Sequence, residues 1–196
     1  MRKITLSLIA ALAIGFSANA QTPDVKIGAK GGLSISNISN LDESSSRPAF
    51  HIGAVAEIFI NEKFSIQPEL LYSAQGARYD YTETIEGYNF YSSKTKTETL
   101  KLDYITIPVI AKYYIVKGLN VQAGPQFAFN VTAKNHMEDI KENVKSFEFG
   151  LGLGAGYELS NGIFFDTRYN IGLSKVNKEG DASRNGVLQL SVGYKF

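Results

Sequence analysis

The sequence predicts an all-β fold, an eight-stranded antiparallel up-and-down transmembrane β-barrel. First, apolar side chains alternate with polar or small ones along most of the chain after residue 24, with the period of two that strands show. Second, short turns and long polar loops alternate between those segments, as they do in barrels of the bacterial outer membrane. Third, the chain begins with the pattern of an export signal.

The export pattern occupies the first 20 residues. A basic start is followed by an apolar run and by the small-residue sequence Ala18-Asn19-Ala20. We expect residues 1–20 to be a signal peptide that is cleaved after Ala20, and residues 21–196 to form the outer-membrane β-barrel domain. The apolar run is shorter than the roughly 20 residues of a membrane helix, so we do not expect it to remain as an anchor.

The composition excludes several classes of function. The chain of 196 residues has no cysteine, which removes disulfides, thiolate metal sites and cysteine nucleophiles. Its net charge of +1 and the lack of a basic stripe argue against nucleic acid as a partner. The two histidines, His51 and His136, are too few for a histidine-rich metal site. We therefore expect no cofactor and no metal.

Eight segments alternate apolar with polar or small residues, and no segment after the signal peptide has the pattern of a helix. The predicted strands cover residues 25–35, 50–60, 64–75, 100–115, 119–131, 147–158, 164–173 and 188–196. Leu100, Leu102 and Tyr104 have the opposite phase to the apolar residues that follow them in the fourth segment. A bulge near Asp103 would absorb this slip.

The connections indicate the orientation of the barrel. Tight turns are predicted at 61–63, 116–118 and 160–162, whereas the other connections are long and polar. Outer-membrane barrels have short periplasmic turns, long external loops and an even number of strands. We therefore expect both ends of the mature chain on the periplasmic side. Tilted strands of about 10 residues also match the thickness of the hydrocarbon layer.

A soluble eight-stranded barrel would show the same alternation with the opposite sorting of side chains. Such a barrel keeps an apolar interior and a polar outer surface. The less apolar face of this chain carries many glycines and small amides, in place of the Lys and Glu that usually cover a water-exposed surface. The signal segment and the terminal aromatic strand also favour a barrel whose apolar face meets lipid.

Three prolines fall inside predicted strands. Pro68, Pro108 and Pro125 cannot donate to a strand ladder, and proline is normally confined to edges and bulges. We expect a local break in the ladder at each proline, at a bulge or near a rim of the barrel.

The predicted register sends equal numbers of acidic and basic residues into the barrel. The acids are Glu57, Glu69, Glu148, Glu158 and Asp166, and the bases are Lys26, Lys30, Lys112, Arg168 and Lys195. Eight strands leave room only for side chains or one small ligand, so a wide pore is not expected. Buried charges need partners. The equal count predicts an ion-paired lumen network, centred on Lys30, Glu57, Glu69, Lys112, Glu148, Asp166 and Arg168, rather than a catalytic carboxylate pair.

Four alternate glycines, Gly150, Gly152, Gly154 and Gly156, occupy one face of the sixth predicted strand. The alternation is a strand pattern and not a phosphate-binding loop before a helix. We expect this glycine ladder to face the lumen, where missing side chains admit bulky neighbours such as Arg168, Phe164 or Gln126 and allow the wall to curve.

The external loops are the expected place for specificity, because function on a rigid scaffold usually lies in loops. The longest loop, 77–99, is rich in Tyr and Thr, and we expect it to extend its strands beyond the bilayer as a hairpin. The candidate recognition residues are Tyr79, Tyr81, Tyr88, Phe90 and Tyr91, since aromatic side chains give contact area at little entropic cost. Alternatively, Tyr79 and Tyr81 belong to the interfacial aromatic girdle.

An enzyme active at the external rim is a further alternative. His51 follows Glu43 and the serines 44–46, which supplies serine, histidine and carboxylate in one region. Serine is common in polar loops, however, and the chain has no nucleophile elbow. We predict no catalytic residues, and we expect His136 to be a solvated loop residue.

Three blocks resemble the PorT-like outer-membrane β-barrel family of Gram-negative bacteria. They are IQPELLYSAQG (66–76), DYITIPVIAKYYIVKGLNVQAGPQFAF (103–129) and FGLGLGAGYEL (149–159). The resemblance covers essentially the whole mature chain and implies the barrel fold. It implies less about function, because the family takes its name from a member required for a protein secretion system. The closing LQLSVGYKF also resembles the signal that the outer-membrane assembly machinery reads at a terminal aromatic residue, here Phe196.

These observations predict a monomeric, non-catalytic protein of the outer membrane with a structural or surface-interaction role. Its expected partners are outer-membrane lipid and the assembly machinery, together with an extracellular protein or a secretion system. Assistance to protein secretion and lipid modification at the rim remain the alternative functions.

Overall fold

The structure is a computed structural model that describes residues 24–39, 44–87, 90–135, 138–178 and 183–196. The predicted signal peptide, Tyr88 and His136 lie outside these ranges. The side chains of Tyr81, Phe90 and Tyr91 also lie outside the described part, although the backbone of their strands is described.

The described chain is built from strands joined by turns and loops. The strands are β1 (Val25–Ile38), β2 (Ser44–Asn61), β3 (Phe64–Gly87), β4 (Phe90–Tyr114), β5 (Leu119–Asn135), β6 (Glu138–Asp139), β7 (Phe147–Glu158), β8 (Ile163–Gly172) and β9 (Asn185–Lys195). The two-residue β6 was not predicted; it pairs with the end of β5. The described residues form no helix long and apolar enough to cross a membrane.

Eight long strands form a closed antiparallel ring. Each pairs with its neighbour in the order β1, β2, β3, β4, β5, β7, β8 and β9, and β9 pairs with β1. Successive strands are adjacent, which is the up-and-down arrangement, and the short turns lie at the end of the barrel that holds both ends of the described chain. The predicted fold class is confirmed.

The two faces of the wall are sorted as in a membrane barrel. The outward side chains of Ile27, Leu33 and Leu153 are 62%, 63% and 56% exposed, whereas the inward Glu57 and Gln67 are 0% exposed. Apolar groups therefore cover the outside and polar groups fill the inside, which is the reverse of a soluble barrel.

The bulge predicted near Asp103 is present, but its position on the chain differs from the prediction. The register between β4 and β5 shifts between Asp103 and Tyr104, and the extra residue is Val131 of β5. β4 itself keeps one phase throughout, so Leu102 and Tyr104 point inward and are 0% exposed. The expected slip in β4 is wrong because these two apolar residues belong to an internal cluster and not to the lipid face.

Ladder breaks occur at all three strand prolines, as predicted. Pairing between β2 and β3 is interrupted opposite Pro68, and pairing between β3 and β4 is interrupted at Pro108. Pairing between β4 and β5 is interrupted at Pro125. The register is the same on both sides of each gap, so a missing N–H donor, and not a bulge, explains the break.

The long β3–β4 hairpin extends past the rest of the wall. Its pairing runs from Phe64 with Tyr113 to Gly87 with Phe90, whereas the ladder of β2 with β3 ends at Ser44 with Tyr79. The hairpin predicted for residues 77–99 is therefore present in the backbone.

Candidate functional site

Polar side chains fill the barrel interior at successive levels. They come from the inward face of every long strand, because residues two apart on a strand share a face. The structure buries Lys30, Glu57, Glu69, Lys112, Glu148, Asp166, Arg168 and Lys195 there, and it places Lys26 and Glu158 at the periplasmic mouth.

The central cluster joins three strands through Glu69. Arg168 donates from Nη1 to Glu69 Oε2 at 2.9 Å and from Nη2 to Glu69 Oε1 at 2.9 Å, which is a bidentate pair. Lys30 Nζ lies 2.9 Å from Glu69 Oε2 and 3.8 Å from Asp166 Oδ2. One carboxylate therefore compensates two fully buried cations, and Asp166 supplies the second negative charge.

Two glutamines add hydrogen bonds to this cluster. Gln122 donates to Asp166 Oδ1 at 2.6 Å and accepts from Arg168 Nη2 at 2.8 Å. Gln67 donates to Glu69 Oε1 at 2.7 Å. Buried charges are tolerated when they are both paired and hydrogen-bonded. The charged groups of this cluster are paired, whereas Lys30 Nζ, Asp166 Oδ2 and Arg168 Nε have no hydrogen-bond partner among the described residues.

A second cluster lies nearer the periplasmic mouth. Lys195 forms ion pairs with Glu57 and with Glu158, the latter at 2.6 Å. Tyr114 donates to Glu57 Oε1 at 2.7 Å, and Lys26 Nζ lies 3.1 Å from Glu158 Oε1. The side chain of Lys26 is 37% exposed, so this cluster extends from the interior to the solvent of the mouth.

Two of the predicted lumen charges have no ionic partner among the described residues. Lys112 lies with Nζ 5.5 Å from the centre of the Phe164 ring, where a cation–π contact compensates part of its burial. Glu148 accepts hydrogen bonds from Tyr104 and, at 3.2 Å, from Asn185. The interior is therefore not a set of simple one-to-one ion pairs.

His51 lies inside the barrel and not at the external rim. Its side chain is 1% exposed, with Nδ1 3.0 Å from Ser34 Oγ and Nε2 2.8 Å from Ser191 Oγ. Ser46, by contrast, pairs with Ala77 near the outer end of β2. The structure thus does not bring the rim serines to His51, and both ring nitrogens are occupied by buried hydroxyls.

The glycine ladder of β7 faces the lumen, and atoms of the neighbouring strand β8 lie close to it. A Cβ atom on Gly152 would meet Asn170 Oδ1 at 2.7 Å and Arg168 Cδ at 3.1 Å, and one on Gly156 would meet Asp166 and Gln122. These glycines therefore leave the space that the central cluster fills. Phe164, which the sequence placed beside the ladder, instead packs its ring over Gly193.

Gly154 is the ladder position where substitution should be most harmful. Its Cβ would meet the backbone carbonyl of Thr167 and the Arg168 Cα at 3.0 Å, and backbone atoms cannot rotate away. We expect Gly154→Leu to lower the free energy of unfolding by about 1 to 3 kcal/mol. Gly152→Leu, which meets side-chain atoms, should cost less. Urea titration of the folded gel band measures both variants, and equal stability of Gly154→Leu and wild type would contradict the inward assignment.

An apolar cap closes the external end of the interior. Its buried members are Ile38, Ala77, Leu102, Tyr104, Ala128, Ala133, Val144 and Val176. Two loop segments hold the cap in place, since Lys145 N donates to Val176 O at 2.8 Å and Lys178 N donates to Asn143 O at 3.1 Å. These two segments, 143–145 and 176–178, therefore lie over the external end of the barrel.

The periplasmic end is open by comparison. A cavity of about 770 Å³ lies between the three short turns and the second ion cluster, and Phe59, Tyr114 and Phe196 contribute aromatic walls. The interior is thus capped at one end and ends in a vestibule at the other.

Of the candidate recognition residues, Tyr79 has a described side chain. Its hydroxyl donates to Asn135 Oδ1 at 2.6 Å and lies 2.9 Å from Glu98 Oε2. Tyr79 therefore ties β3 to β4 and β5 at the outer rim. The described residues contain no group of three or more His, Asp or Glu side chains that could hold a metal ion.

The sequence missed the uncharged partners of the network. Gln67, Gln122 and Ser34 share the inward phase of the predicted ions, and that phase is the signal that could have identified them. Their pairing across the lumen depends on how far each strand is staggered, which alternation alone does not fix.

Comparison with known proteins agrees with this architecture. The model of one family, described as outer membrane protein beta-barrel domain, matches residues 19–178. Neisserial surface protein A superposes with a TM-score of 0.52 at 18% identity, covering 90% of this chain and 100% of that chain. OprG of Pseudomonas aeruginosa gives a TM-score of 0.48 at 12% identity, covering 90% and 98%. Identities this low concern the fold alone. No curated protein sequence matches the chain.

Proposed function

The chain belongs to the outer membrane protein β-barrel domain family, and from that premise we propose a non-catalytic role with a plugged interior and function at the cell surface. The protein resides in the outer membrane, where its apolar wall meets lipid. In this proposal the barrel is a stable support, and the external loops make the contacts with other molecules.

The central ion cluster is the observation that carries the proposed plug. Arg168, Lys30 and Glu69 meet across the lumen and are buried to within 3% exposure. The apolar cap covers the same axis at the external end. A solute would have to break buried ion pairs and displace the cap, and breaking such a pair costs several kcal/mol.

Conductance across a planar bilayer tests the plug. We expect the wild-type protein to give no steady current, because an eight-stranded interior filled by side chains leaves no aqueous path. The comparison is a double variant, Glu69→Ala with Arg168→Ala, which removes the central ion pair. It should show transient current openings more often than wild type. A steady wild-type conductance of roughly several hundred picosiemens would contradict the closed interior.

The extended hairpin supports the proposed surface role. Its strands continue beyond the last pairs with β2 and β5, so its outer part contributes little to closure of the ring. We expect deletion of residues 82–96 to leave insertion and heat-resistant folding intact while removing binding to a cell-surface or extracellular protein partner. Loss of insertion in the deletion variant would contradict this division between support and recognition.

Assistance to protein secretion is the second candidate function. The support is the resemblance of residues 66–76, 103–129 and 149–159 to PorT-like proteins. A strain lacking the protein should then retain secreted cargo, and the full chain should restore its release. Normal secretion in the deletion strain would leave the surface role as the remaining proposal.

A further inference from the structure

A row of basic residues crosses β3, β4 and β5 on the outer surface. Lys101 of β4 lies directly opposite Lys134 of β5 in the antiparallel ladder. Arg78 of β3 lies opposite Thr99 of β4. Thr99 is the next lipid-facing residue of β4 after Lys101 in the direction away from the periplasm. All three side chains are exposed. We refer to Arg78, Lys101 and Lys134 as the basic row.

The opposition of two lysines has an energetic cost in the isolated protein. Like charges placed directly opposite on neighbouring strands destabilise a sheet. Lys101 has Gly76 as its ladder partner on the other side, so neither neighbouring strand offers it a carboxylate. Among the described side chains, no acid lies within ion-pair distance of Lys101 or Lys134, and Asp103 contacts Arg47 at 4.0 Å. Asp139 occupies the ladder position beside Lys134 on β6.

The position of the basic row along the membrane normal places it beside lipid headgroups. Phe129, which pairs with Ile105, is 44% exposed and packs against Phe147 with ring centres 5.4 Å apart. These rings belong to the lipid-facing band. Lys101 lies four residues beyond Ile105, about 13 Å along the strand and roughly 10 Å along the membrane normal after tilt. Headgroup regions occupy the next several Å outside the hydrocarbon.

We propose that the basic row binds the phosphate groups of a phosphorylated lipid in the outer leaflet. Phosphate oxygens would lie between the opposed ammonium groups and convert their repulsion into attraction, and a guanidinium can hold a phosphate through two hydrogen bonds. Lys141 adds another cation nearby, since its Nζ donates to Val131 O at 3.3 Å. The site depends on insertion in the outer membrane but not on the plug or on residues 82–96 of the hairpin.

The test compares stability in two lipid surroundings. The midpoint of thermal unfolding is measured for wild type, Lys101→Gln and Lys117→Gln in phosphatidylcholine vesicles, and again in vesicles that also contain diphosphorylated lipid A. Lys117 is an exposed lysine in a periplasmic turn, so its replacement removes the same charge from the opposite side. All three proteins must first show the heat-resistant gel band that reports insertion.

We expect the order of the unfolding midpoints of wild type and Lys101→Gln to differ between the two lipid mixtures. In phosphatidylcholine, Lys101→Gln should unfold at the same or a higher temperature than wild type, because the lysine repulsion is gone. With lipid A, the unfolding midpoints of wild type and Lys117→Gln should rise by the same amount. The midpoint of Lys101→Gln should rise by roughly half of that amount or less. Lys101→Arg, which keeps the charge, should follow wild type. An equal rise in all proteins would overturn the proposal.

Two further arms distinguish the lipid from a free anion. Dephosphorylated lipid A should give no difference between wild type and Lys101→Gln. Inorganic phosphate added to phosphatidylcholine vesicles should not reproduce the rise seen with lipid A, since it lacks the acyl anchor that concentrates the phosphates at the membrane surface. If inorganic phosphate alone gave the full rise, the lipid would be the wrong ligand.

Discussion

Replacement of Glu69 by glutamine should lower the free energy of unfolding by about 3 to 5 kcal/mol. Glutamine keeps the size of the side chain but removes the charge that compensates Arg168 and Lys30, whose side chains are 1% and 0% exposed. Both cations would remain buried, with Asp166 as the nearest acid to Lys30 at 3.8 Å. Urea titration in lipid vesicles, followed by the folded fraction on unheated gels, measures the loss.

Two control variants separate the loss of pairing from a general effect of charge. Glu142→Gln changes an exposed loop carboxylate and should leave the unfolding midpoint unchanged. A double variant, Glu69→Gln with Arg168→Gln, should be more stable than the sum of the two single changes predicts, because the residues act as a pair. A Glu69→Gln protein as stable as wild type would contradict the central role given to this carboxylate.

Arginine at Leu153 should cost about 2 to 4 kcal/mol of stability in a bilayer. Leu153 is 56% exposed on the outward face of β7, and it lies between Ala123 of β5 and Tyr169 of β8. Its position near the middle of β7 puts a charge close to the bilayer midplane, where no water solvates it. Folding titrations in vesicles give the value.

Ser160 provides the matched position for this experiment. It lies exposed in the periplasmic turn after β7, so Ser160→Arg introduces the same side chain where headgroups and water solvate it. We expect a change of about 1 kcal/mol or less. If Leu153→Arg were as well tolerated as Ser160→Arg, the outward face of β7 would not be in contact with lipid.

The sequence predicted the architecture because a membrane barrel imposes two environments on alternate residues. In β7, Leu151 and Leu153 alternate with Gly152 and Gly154, and this period of two reports directly which side meets lipid. The turns at 116–118 and 160–162 then fixed which strands are neighbours. The number of long strands, their antiparallel pairing and their order in the ring all follow from these local signals.

Alternation could not show which inward residues meet across the lumen. Glu69 and Arg168 are separated by 99 residues, and their contact depends on the stagger of all the strands between them. Leu102 and Tyr104 were misread for a related reason. An apolar residue in a barrel strand can face lipid or an internal cap, and hydrophobicity is the same for both.

His51 illustrates a further limit. Its closeness in sequence to Ser46 suggested a rim site, whereas the ladder instead brings Ser34 and Ser191 to its ring. Side chains on neighbouring strands meet across the sheet, whereas Ser46 and His51 are five residues apart on one strand, roughly 16 Å at about 3.3 Å per residue, and the ladder of β2 with β3 shifts its register between them. Sequence proximity along a strand was therefore a poor guide to contact.

The accessibility of spin labels at single cysteines tests most directly whether the outward face of the barrel meets lipid. The natural chain contains no cysteine, so one can be introduced at a time without background labelling. Labels at Leu153 and Leu190, on the outward face, should collide with oxygen dissolved in the lipid and be shielded from a water-soluble nickel complex. A label at Lys94, exposed on the external hairpin, should show the opposite preference. Free access of the nickel complex to Leu153 and Leu190 in the reconstituted protein would contradict the membrane barrel.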